Sequence, residues 1–313
     1  MKILITGGAG FIGSHVADAC LEAGHQVVVV DDLSSGNFAN LNPAVKFYQL
    51  DIRDPALEEV FATEKPDVVN HHAAQISVPH SVTEPLLDAQ INILGLVNVL
   101  ENCVKHHIKK VIFISSGGAI YGEAEEYPTT EDYPPQPLSV YAINKFAGEN
   151  YLRFYRHQYG LEYTVLRYAN VFGPRQIAQG EAGVVSIFVE KLLQDSAPTI
   201  YAYPDDPEGM IRDYVYVKDV VRANLAVLDR GSNEVFNIGT CEETTTSQLY
   251  KTILWQLGKK IQPLKGPARK GDLRRSMLDN SKAFKELGWS PIYSLEDGIR
   301  ETVTWFKARK EKS

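Results

Sequence analysis

A tyrosine and a lysine stand four residues apart in the segment YAINK, where Tyr141 precedes Lys145. Residues at this spacing share one face of a helix. A tyrosine has an ordinary pKa near 10, so lowering that pKa to about 7 needs roughly 4 kcal/mol in favour of the phenolate. A lysine ammonium at about 4 Å can supply roughly that much at an effective dielectric constant near 20. The pair therefore predicts a tyrosine that accepts and returns a proton.

A glycine-rich turn follows the first apolar run, in TGGAGFIGSH. Gly8, Gly10 and Gly13 match G-x-G-x-x-G, and Gly7 begins an overlapping G-x-x-G-x-x-G. Such glycines let the backbone approach a pyrophosphate, and the N–H groups at the start of the next helix point at it. The second apolar run ends at Asp31, whose carboxylate can accept from both ribose hydroxyls and would repel a 2′-phosphate. The loop therefore predicts a bound dinucleotide, NAD rather than NADP.

The elements that must position these residues follow a βαβ rhythm. The predicted strands are nearly continuous in apolar character, as expected for a parallel sheet covered on both faces; they are residues 2–6, 26–30, 45–49, 67–70, 110–115 and 163–168. The helical patterns between them lie near 12–23, 55–64, 84–107 and 141–158. The fold class is therefore predicted as α/β, with a Rossmann-type doubly wound parallel sheet.

The rhythm changes after about residue 170, where short strands such as 234–239 separate further helices. The predicted helices of this part lie near 183–194, 217–229, 246–257 and 293–308. We predict an NAD-binding domain over 1–170 and a smaller, mixed α/β substrate-binding domain over 171–313. The chain is expected to interleave the two, for example over 211–240. The acidic, proline-rich segment 122–140 is either a solvated connector or a cover for a site.

Composition narrows the possible partners. With 32 basic and 39 acidic residues among 313, the net charge is −7, which argues against nucleic acid and anionic membranes as partners. No run approaches the roughly 18 apolar residues of a membrane span. Three widely spaced cysteines fit a reducing, cytoplasmic compartment. The histidine pairs at 71–72 and 106–107 lack the spacing of a metal site, so no metal is expected.

The order of motifs resembles the extended short-chain dehydrogenase/reductases, in the nucleotide-sugar branch of NAD-dependent epimerases and dehydratases. The motifs that carry the resemblance span nearly the whole chain: TGGAGFIGSH, DDLSSG, DIRD, HHAAQ, SSGGAIYG, YAINK, LRYANVFGPR, IRDYVYVKDV and RKGDLRRS. The resemblance implies 4-epimerisation of a UDP-sugar, interconverting UDP-galactose and UDP-glucose through a 4-keto intermediate with NAD retained.

The resemblance also implies a catalytic set of Tyr141, Lys145 and a hydroxyl that hydrogen-bonds the sugar O4. In the commonest form of the family's motif that hydroxyl lies at position 117, where this chain has Gly117. Ser116 is the candidate to replace it, and Ser115 is the second candidate. The two glycines after Ser116 would let the backbone turn where it meets sugar and nicotinamide.

The remaining implied contacts fall into two sets. The cofactor set comprises Gly7, Gly10, Phe11, Ile12, Gly13, Asp31, Asp32, Ser35, Gly36, Asp51, Ile52, His72, Ala73, Ala74, Gln75, Asn92, Ser115, Tyr141, Lys145 and Tyr168. The substrate set comprises Ser116, Gly117, Gly118, Tyr141, Asn170, Val184, Tyr201, Arg212, Arg269 and Asp272. Within it, Asn170 and the two arginines are expected on the diphosphate, Asp272 on the uridine ribose and Tyr201 near the uracil.

Several alternatives stay open. The small Ser276 lies where a bulky residue would exclude N-acetylated sugars, so UDP-N-acetylglucosamine is a possible substrate, and UDP-glucuronate is another. A dehydratase or decarboxylase would need an acidic pair before the Tyr-Gly of SSGGAIYG, and a catalytically silent NAD-binding regulator would usually lack the tyrosine or the lysine. Apolar residues on the helices near 92–107 and 141–158, including Leu94, Val97, Phe154 and Tyr155, suggest a homodimer.

Overall fold

The structure, a computed structural model, describes residues 1–177, 183–269 and 271–311. Its strands are β1 Lys2–Thr6, β2 Gln26–Asp31, β3 Lys46–Gln49, β4 Val68–His71, β5 Lys110–Ser116, β6 Glu162–Tyr168, β7 Asn170–Phe172, β8 Thr199–Ala202, β9 Ile211–Arg212, β10 Tyr214–Tyr216, β11 Glu234–Ile238, β12 Thr244–Thr245, β13 Leu264–Pro267 and β14 Arg275–Ser276. Its α-helices are α1 Phe11–Glu22, α2 Leu57–Glu64, α3 Val78–Thr83, α4 Pro85–Ala89, α5 Leu96–Lys105, α6 Gly117–Ile120, α7 Val140–Tyr159, α8 Val184–Leu193, α9 Val217–Ala226, α10 Thr246–Leu257, α11 Ser281–Leu287 and α12 Leu295–Lys310. A 3₁₀ turn spans Phe38–Asn40, and a π-helical turn spans Gln90–Gly95.

The main sheet has seven parallel strands in the order β11-β6-β5-β4-β1-β2-β3. This confirms the predicted Rossmann-type α/β class. The strand order reverses direction between β1 and β4, and a crevice at such a point is where doubly wound sheets bind ligands. The carboxyl ends of β1, β2, β4, β5 and β6 therefore form one edge, with Thr6, Asp31, His71, Ser116 and Tyr168 as their last residues.

Two apolar clusters cover the two faces of this sheet. One joins α1 and α9 to the sheet, and the other joins α2, α5 and α7 to it. The strands are buried almost end to end, as in β1, where Ile3, Leu4 and Ile5 are fully buried. Their near-continuous β-branched and leucine content follows from this two-sided burial.

The helix predicted over 84–107 is not one regular helix. The chain forms α4, the π-helical turn and α5 in immediate succession, preceded by the short α3, which the sequence analysis did not predict. Ser77 caps α3 by accepting from the His80 N–H, and Pro85 occupies the first turn of α4, where a missing N–H costs nothing. The π turn places one extra residue in the helix and brings Asn92 toward β4.

The smaller part packs around a third apolar cluster built from α8, α10, α12 and β10. The two-stranded and three-stranded sheets beside it, formed by β7 to β10 and β12 to β14, have strands of two to four residues. The chain returns to the main sheet, because β11 pairs with β6 and α9 packs against α1. The predicted division at residue 170 stays a prediction.

The acidic segment after α6 is fastened to the strand region that carries Ser276. Thr129 pairs with this region on both sides, since its N–H donates to Met277 O at 2.9 Å and its carbonyl accepts from Asp279 N at 2.9 Å. The Glu123 carboxylate accepts from Arg274 N at 2.7 Å. The segment is therefore a fixed wall beside the end of β5. Among the described residues, no helix is long and apolar enough to cross a membrane.

Candidate active site

The glycine turn after β1 is shaped so that only glycine fits at two of its positions. Gly7 has a φ of 68°, and a Cβ there would lie 2.6 Å from Ala73 N. A Cβ on Gly13 would lie 2.3 Å from Gly7 O, so α1 starts directly against the turn. Gly10 precedes α1 without a side-chain cap, which leaves the N–H groups of Phe11 and Ile12 available to an anion. These residues fit the pyrophosphate of a dinucleotide.

Asp31 ends β2 beside this turn and is nearly buried. Its Oδ2 accepts from Ala9 N at 2.9 Å and its Oδ1 accepts from Leu33 N at 2.8 Å. Burial raises the pKa of the Asp31 carboxyl, and these backbone hydrogen bonds oppose the rise. Each carboxylate oxygen retains a second lone pair, so Asp31 can still accept from ribose hydroxyls. Gly36 packs on it, since a Cβ at that position would lie 2.6 Å from Asp31 Oδ1.

The other acids expected on the adenosine side have partners of their own. Asp32 Oδ1 accepts from the N–H and hydroxyl of Ser34, while Ser35 is exposed. The Asp51 carboxylate is held by the Arg53 guanidinium, which lowers its pKa. Ile52, which follows Asp51, is buried. Their contacts with a cofactor stay predictions.

The HHAAQ segment after β4 reaches the same edge of the sheet. His72 Nε2 is buried without a hydrogen-bond partner among the described residues, and burial lowers the pKa of His72 to about 3, so the ring is neutral. Ala73 N donates to Thr6 Oγ1 at the end of β1. Ala74 follows Ala73 in the chain and precedes Gln75. Gln75 and Asn92 are joined by two hydrogen bonds of 3.0 Å. Tyr168, the last residue of β6, is buried, and its hydroxyl accepts from the Asn224 amide at 2.6 Å.

Tyr141 and Lys145 lie in the first turns of α7, which begins after the cap Ser139. Lys145 is 5% exposed, and its ammonium donates to Ile114 O on β5 at 2.9 Å. The Lys145 nitrogen is 6.0 Å from the centroid of the Tyr141 ring. The predicted pairing on one helix face is therefore present, close to the end of β5.

The pKa of Tyr141 differs from the sequence-based expectation. Burial raises this pKa to about 12, a hydrogen bond with Ser116 opposes the rise, and the charge of Asp88 adds to it. Burial also lowers the pKa of Lys145 to about 8, partly offset by Asp88. The expected lowering of the tyrosine pKa by the lysine is thus wrong for the protein alone, because burial dominates the Tyr141 pKa and the Lys145 ammonium is directed at the carbonyl of Ile114.

The two serines at the end of β5 point to opposite sides. Ser115 donates to Glu149 Oε1 at 2.6 Å in the buried core, whereas the Ser116 hydroxyl is on the side of Tyr141 and acts to lower the pKa of that tyrosine. A Cβ on Gly117 would meet Leu278 Cδ1 at 2.5 Å, so a hydroxyl at that position would face Leu278. The geometry therefore favours Ser116 over both alternatives as the hydroxyl beside the tyrosine.

Asn170 and Arg212 are brought close by backbone pairing, since Asn170 N donates to the carbonyl of Asp213 at 2.9 Å. The Asn170 Nδ2 is buried and has no hydrogen-bond partner among the described residues. Burial lowers the pKa of Arg212, and its Nη1 donates to the carbonyl of Ile211 rather than to a described carboxylate. A buried amide donor and a buried cation can together hold an anion.

Arg269 and Asp272, expected on different parts of the substrate, contact each other. The Arg269 Nε and Nη2 each donate to the Asp272 carboxylate at 3.1 Å. The guanidinium also lies 4.9 Å from the centroid of the half-exposed Tyr201 ring. Lys270, which lies between Arg269 and Asp272 in RKGD, is outside the described residues. Val184 is the first residue of α8, and it closely follows residues 178–182, which are also outside the described residues.

Gly118 lies beside two polar side chains. The nearest atoms to a Cβ at that position are Asn170 Nδ2 at 3.7 Å and Ser276 Oγ at 3.9 Å. Ser276 is paired in register with Arg212 through β9 and β14. The structure thus brings Gly118, Asn170, Arg212 and Ser276 together.

Sequence reasoning missed a buried polar cluster beneath the tyrosine and lysine. Asp88, on α4, is fully buried and accepts from Asn144, which stands directly before Lys145. Ser81 Oγ accepts from Tyr141 N at 3.1 Å. The available signal was an acid within an apolar stretch, PLLDAQIN, spaced four residues from Asn92.

The fold and this edge define a dinucleotide-binding α/β protein with a tyrosine–lysine helix next to its cofactor turn. A family model described as the NAD dependent epimerase/dehydratase family matches residues 3–239. The chain belongs to that family.

Three solved structures are similar over almost their full length. A UDP-glucose 4-epimerase from Thermotoga maritima, solved with UDP-glucose, is 51% identical with a TM-score of 0.96 and covers 99% of this chain and 100% of its own. A UDP-glucose 4-epimerase from Thermus thermophilus, solved with NAD, is 44% identical with a TM-score of 0.93, covering 98% and 99%. A UDP-N-acetylglucosamine 4-epimerase from Methanobrevibacter ruminantium, solved with UDP-N-acetylmuramic acid, is 37% identical with a TM-score of 0.92, covering 98% of each chain.

Proposed function

We propose that this protein is an NAD-dependent 4-epimerase that interconverts UDP-galactose and UDP-glucose. The observation that carries the proposal is the pair of Tyr141 and Lys145 on one face of α7, with the Lys145 nitrogen 6.0 Å from the centroid of the Tyr141 ring. It lies at the carboxyl edge of the sheet, beside a glycine turn that fits a dinucleotide. The similarity to 4-epimerases over the full chain supports the same activity.

The residues that would hold NAD are those of the edge already described. Gly7, Gly10 and Gly13, with the start of α1, would hold the pyrophosphate, and Asp31 the adenosine ribose. Lys145 would donate to the nicotinamide ribose, and the segment from His72 to Gln75 would line the nicotinamide side.

The chemistry divides between the cofactor and the protein. Bound NAD would supply the hydride chemistry, namely removal of a hydride from the sugar C4 and its return to either face of the C4 carbonyl. In the protein alone Tyr141 is a phenol, because burial raises its pKa to about 12; the proposal requires the positive nicotinamide beside it to favour the phenolate. As phenolate, Tyr141 would take the proton from the sugar 4-OH, so that a C4 carbonyl forms as the C4–H bond breaks. Ser116 would donate to the sugar O4 and keep that oxygen beside the phenol. Tyr141 returns its proton when the carbonyl is reduced, so the reaction has no net redox change.

The diphosphate end would be anchored by the half-buried Arg212 guanidinium and the Asn170 side-chain amide. Asn170 and Arg212 present their donors next to Gly118, and Arg269 would add a second cation held in place by Asp272. Anchoring at this end lets the keto sugar turn over and present its other face to the hydride. These substrate contacts are part of the proposal.

We also propose a homodimer in a reducing, cytoplasmic compartment. The supporting observation is an apolar surface on the π turn and α7, where Leu94 is 60% exposed and Phe154 is 51% exposed. Tyr155 does not belong to this surface, contrary to the sequence-based expectation, because it is buried and its hydroxyl donates to Glu101. Cys20 and Cys103 are free and buried, as suits a reducing environment.

The direct test is proton NMR of UDP-galactose incubated with the purified protein and no added NAD. Appearance of UDP-glucose without a 4-keto-6-deoxy sugar is expected. A 4-keto-6-deoxy product would indicate a dehydratase, and an unchanged spectrum even with added NAD would favour UDP-uronates as substrates or a silent NAD-binding regulator. The Tyr141→Phe variant is the control for contaminating epimerase.

A second candidate substrate is UDP-N-acetylglucosamine. The small Ser276 side chain beside Gly118 favours it, because a bulkier residue at that position would take up the room that an acetamido group needs. We expect turnover of UDP-N-acetylgalactosamine, and Ser276→Tyr should abolish it while sparing UDP-galactose. No conversion of the acetylated sugar under conditions where UDP-galactose reacts would contradict this second activity.

A further inference from the structure

The carboxylate of Asp88 is completely enclosed, with 0% of the residue exposed. Three side-chain amides donate to it: Gln75 Nε2 at 2.6 Å, Asn92 Nδ2 at 3.1 Å and Asn144 Nδ2 at 2.7 Å. All three donors are neutral amides. The carboxylate is therefore held by amides and has no arginine or lysine in direct contact among the described residues.

The three amides come from three different parts of the site. Gln75 follows β4, Asn92 lies in the π turn, and Asn144 lies on α7 between Tyr141 and Lys145. Asp88 thereby ties the cofactor edge of the sheet to the helix that carries the reactive pair. The π turn is what brings Asn92 close enough to donate to Gln75 O and Asp88 at once.

We infer that Asp88 is a positioning residue that keeps Lys145 protonated in a buried site and holds the start of α7 against the cofactor edge. This inference rests on the proposed function for its activity readout. The charge of Asp88 acts on both members of the pair, since it raises the pKa of Lys145 and that of Tyr141.

Among the residues that the structure describes, the other groups facing Tyr141 and Lys145 carry no compensating charge. His71 and His72 on β4 are neutral, because burial lowers the pKa of each to about 3. From α3 the contacting group is the neutral hydroxyl of Ser81. Asp88 is thus the anion that favours the ammonium of Lys145.

The test is the Asp88→Asn variant, which preserves size and removes the charge. Both limbs of the pH profile of kcat for UDP-galactose should move to lower pH by roughly one unit, the size expected for one nearby charge. Loss of Asp88 lets the lysine lose its proton at lower pH and lets the tyrosine ionise at lower pH. A fall in kcat with unmoved limbs would overturn the inference, since a purely structural role predicts that result.

A second readout does not depend on turnover. Tyrosinate absorbance is titrated against pH in the wild type and in Asp88→Asn, each with and without the Tyr141→Phe change. The difference within each pair reports the ionisation of Tyr141 alone. The pH midpoint of that ionisation should be lower in Asp88→Asn than in the wild type. If the wild type converts no UDP-sugar, the proposed function fails while this titration still decides the role of Asp88. An unchanged midpoint refutes that role.

The matched control is Asp219→Asn. Asp219 is also fully buried and accepts from Ile292 N and Tyr293 N, but it lies on α9 and does not act on the pair. It should lower stability without moving either limb. If Asp88→Asn does not fold, Asp88→Ser, whose hydroxyl can accept from one amide, takes its place with the same expected shift.

Discussion

At the scale of residues, Ser115 and Ser116 are adjacent in the chain, but their hydroxyls face different groups. The Ser115 hydroxyl belongs to a buried cluster with Glu149, whereas the Ser116 hydroxyl acts to lower the pKa of Tyr141. Alternation along a strand separates them, and the chain turns into α6 immediately afterwards. The family's usual position for the hydroxyl, now Gly117, faces Leu278 instead.

We expect Ser116→Ala to lower kcat by roughly 10²-fold, within the range of one positioned proton-transfer group. The same change should raise the pKa of Tyr141, because a hydrogen bond that favours the phenolate is lost. The matched variant Ser115→Ala should cost about 1 kcal/mol of stability and leave kcat within a few-fold. Measurements of kcat and of urea unfolding for both variants test whether Ser116 is the hydroxyl that assists Tyr141. Equal losses of kcat in the two variants would contradict that role for Ser116.

Lys145 illustrates a conflict between stability and chemistry. Burial lowers the pKa of Lys145 from 10.5 to about 8. This shift corresponds to a loss of about 3 kcal/mol in folding stability at neutral pH, because the charged lysine is less well solvated in the folded protein. The folded state holds fewer protons than the unfolded state between these two values, so stability from this group rises as pH rises from about 8 to 10.5.

Lys145→Met should therefore inactivate the protein and stabilise it. We expect the free energy of unfolding at pH 7 to increase by up to about 3 kcal/mol, because an apolar side chain needs no desolvation. Urea unfolding at pH 7 and pH 10 checks the sign, and the gain should shrink at the higher pH. A loss of stability at pH 7 would show that the bond to Ile114 O outweighs burial.

At the scale of elements, α7 is fixed to the sheet by one ion pair. Glu149 is fully buried, and both its oxygens accept from Arg167 on β6, at 3.0 and 2.7 Å. Arg167 also donates to the Tyr121 hydroxyl at 2.7 Å. Glu149 is one turn beyond Lys145, so this pair sets how α7 lies against β5 and β6.

Glu149→Gln should cost about 3–5 kcal/mol of stability, since it leaves a buried guanidinium without its counter-charge. The control is Lys109→Met, which breaks an exposed ion pair with Asp67 and should cost less than about 1 kcal/mol. Urea unfolding of both variants provides the comparison. Similar losses would mean that water reaches Arg167 once the carboxylate is gone.

Elements with strong local signals could be predicted, and contacts between distant side chains could not. The strands ending at Thr6 and Asp31 were predicted to within a residue, because continuous apolar runs and glycine turns bound them. The π turn could not be predicted, because it accompanies hydrogen bonds of Asn92 with Gln75 and Asp88, which local sequence patterns do not encode. The pairing of Arg269 with Asp272 likewise depends on a local bend that no periodicity encodes.

At the scale of the whole molecule, an apolar surface covers one side of the site-bearing helices. Leu94 on the π turn and Phe154 on α7 are exposed, as are Leu86 and Ile143 nearby in the chain. Apolar side chains gathered on adjoining elements commonly mark an interface, and a two-fold axis would place the same surface against itself.

We expect Leu94→Glu to convert a homodimer into a monomer, because it places a charge within the apolar surface. Light scattering after size exclusion measures the mass. Trp255→Glu is the control, since Trp255 is also exposed but lies on α10. A wild-type mass equal to one chain would refute the homodimer outright.

Strand β11 pairs with β6 in the main sheet but is synthesised well after it, which affects how the chain folds on the ribosome. When the ribosome has released only the first 170 residues, β6 has no neighbour on its outer side, because its partner β11 begins only at Glu234. A bare parallel edge invites pairing with other nascent chains. The growing polypeptide should therefore need a chaperone, or slow translation, until residue 238 emerges, and a fragment ending at 170 should precipitate rather than fold.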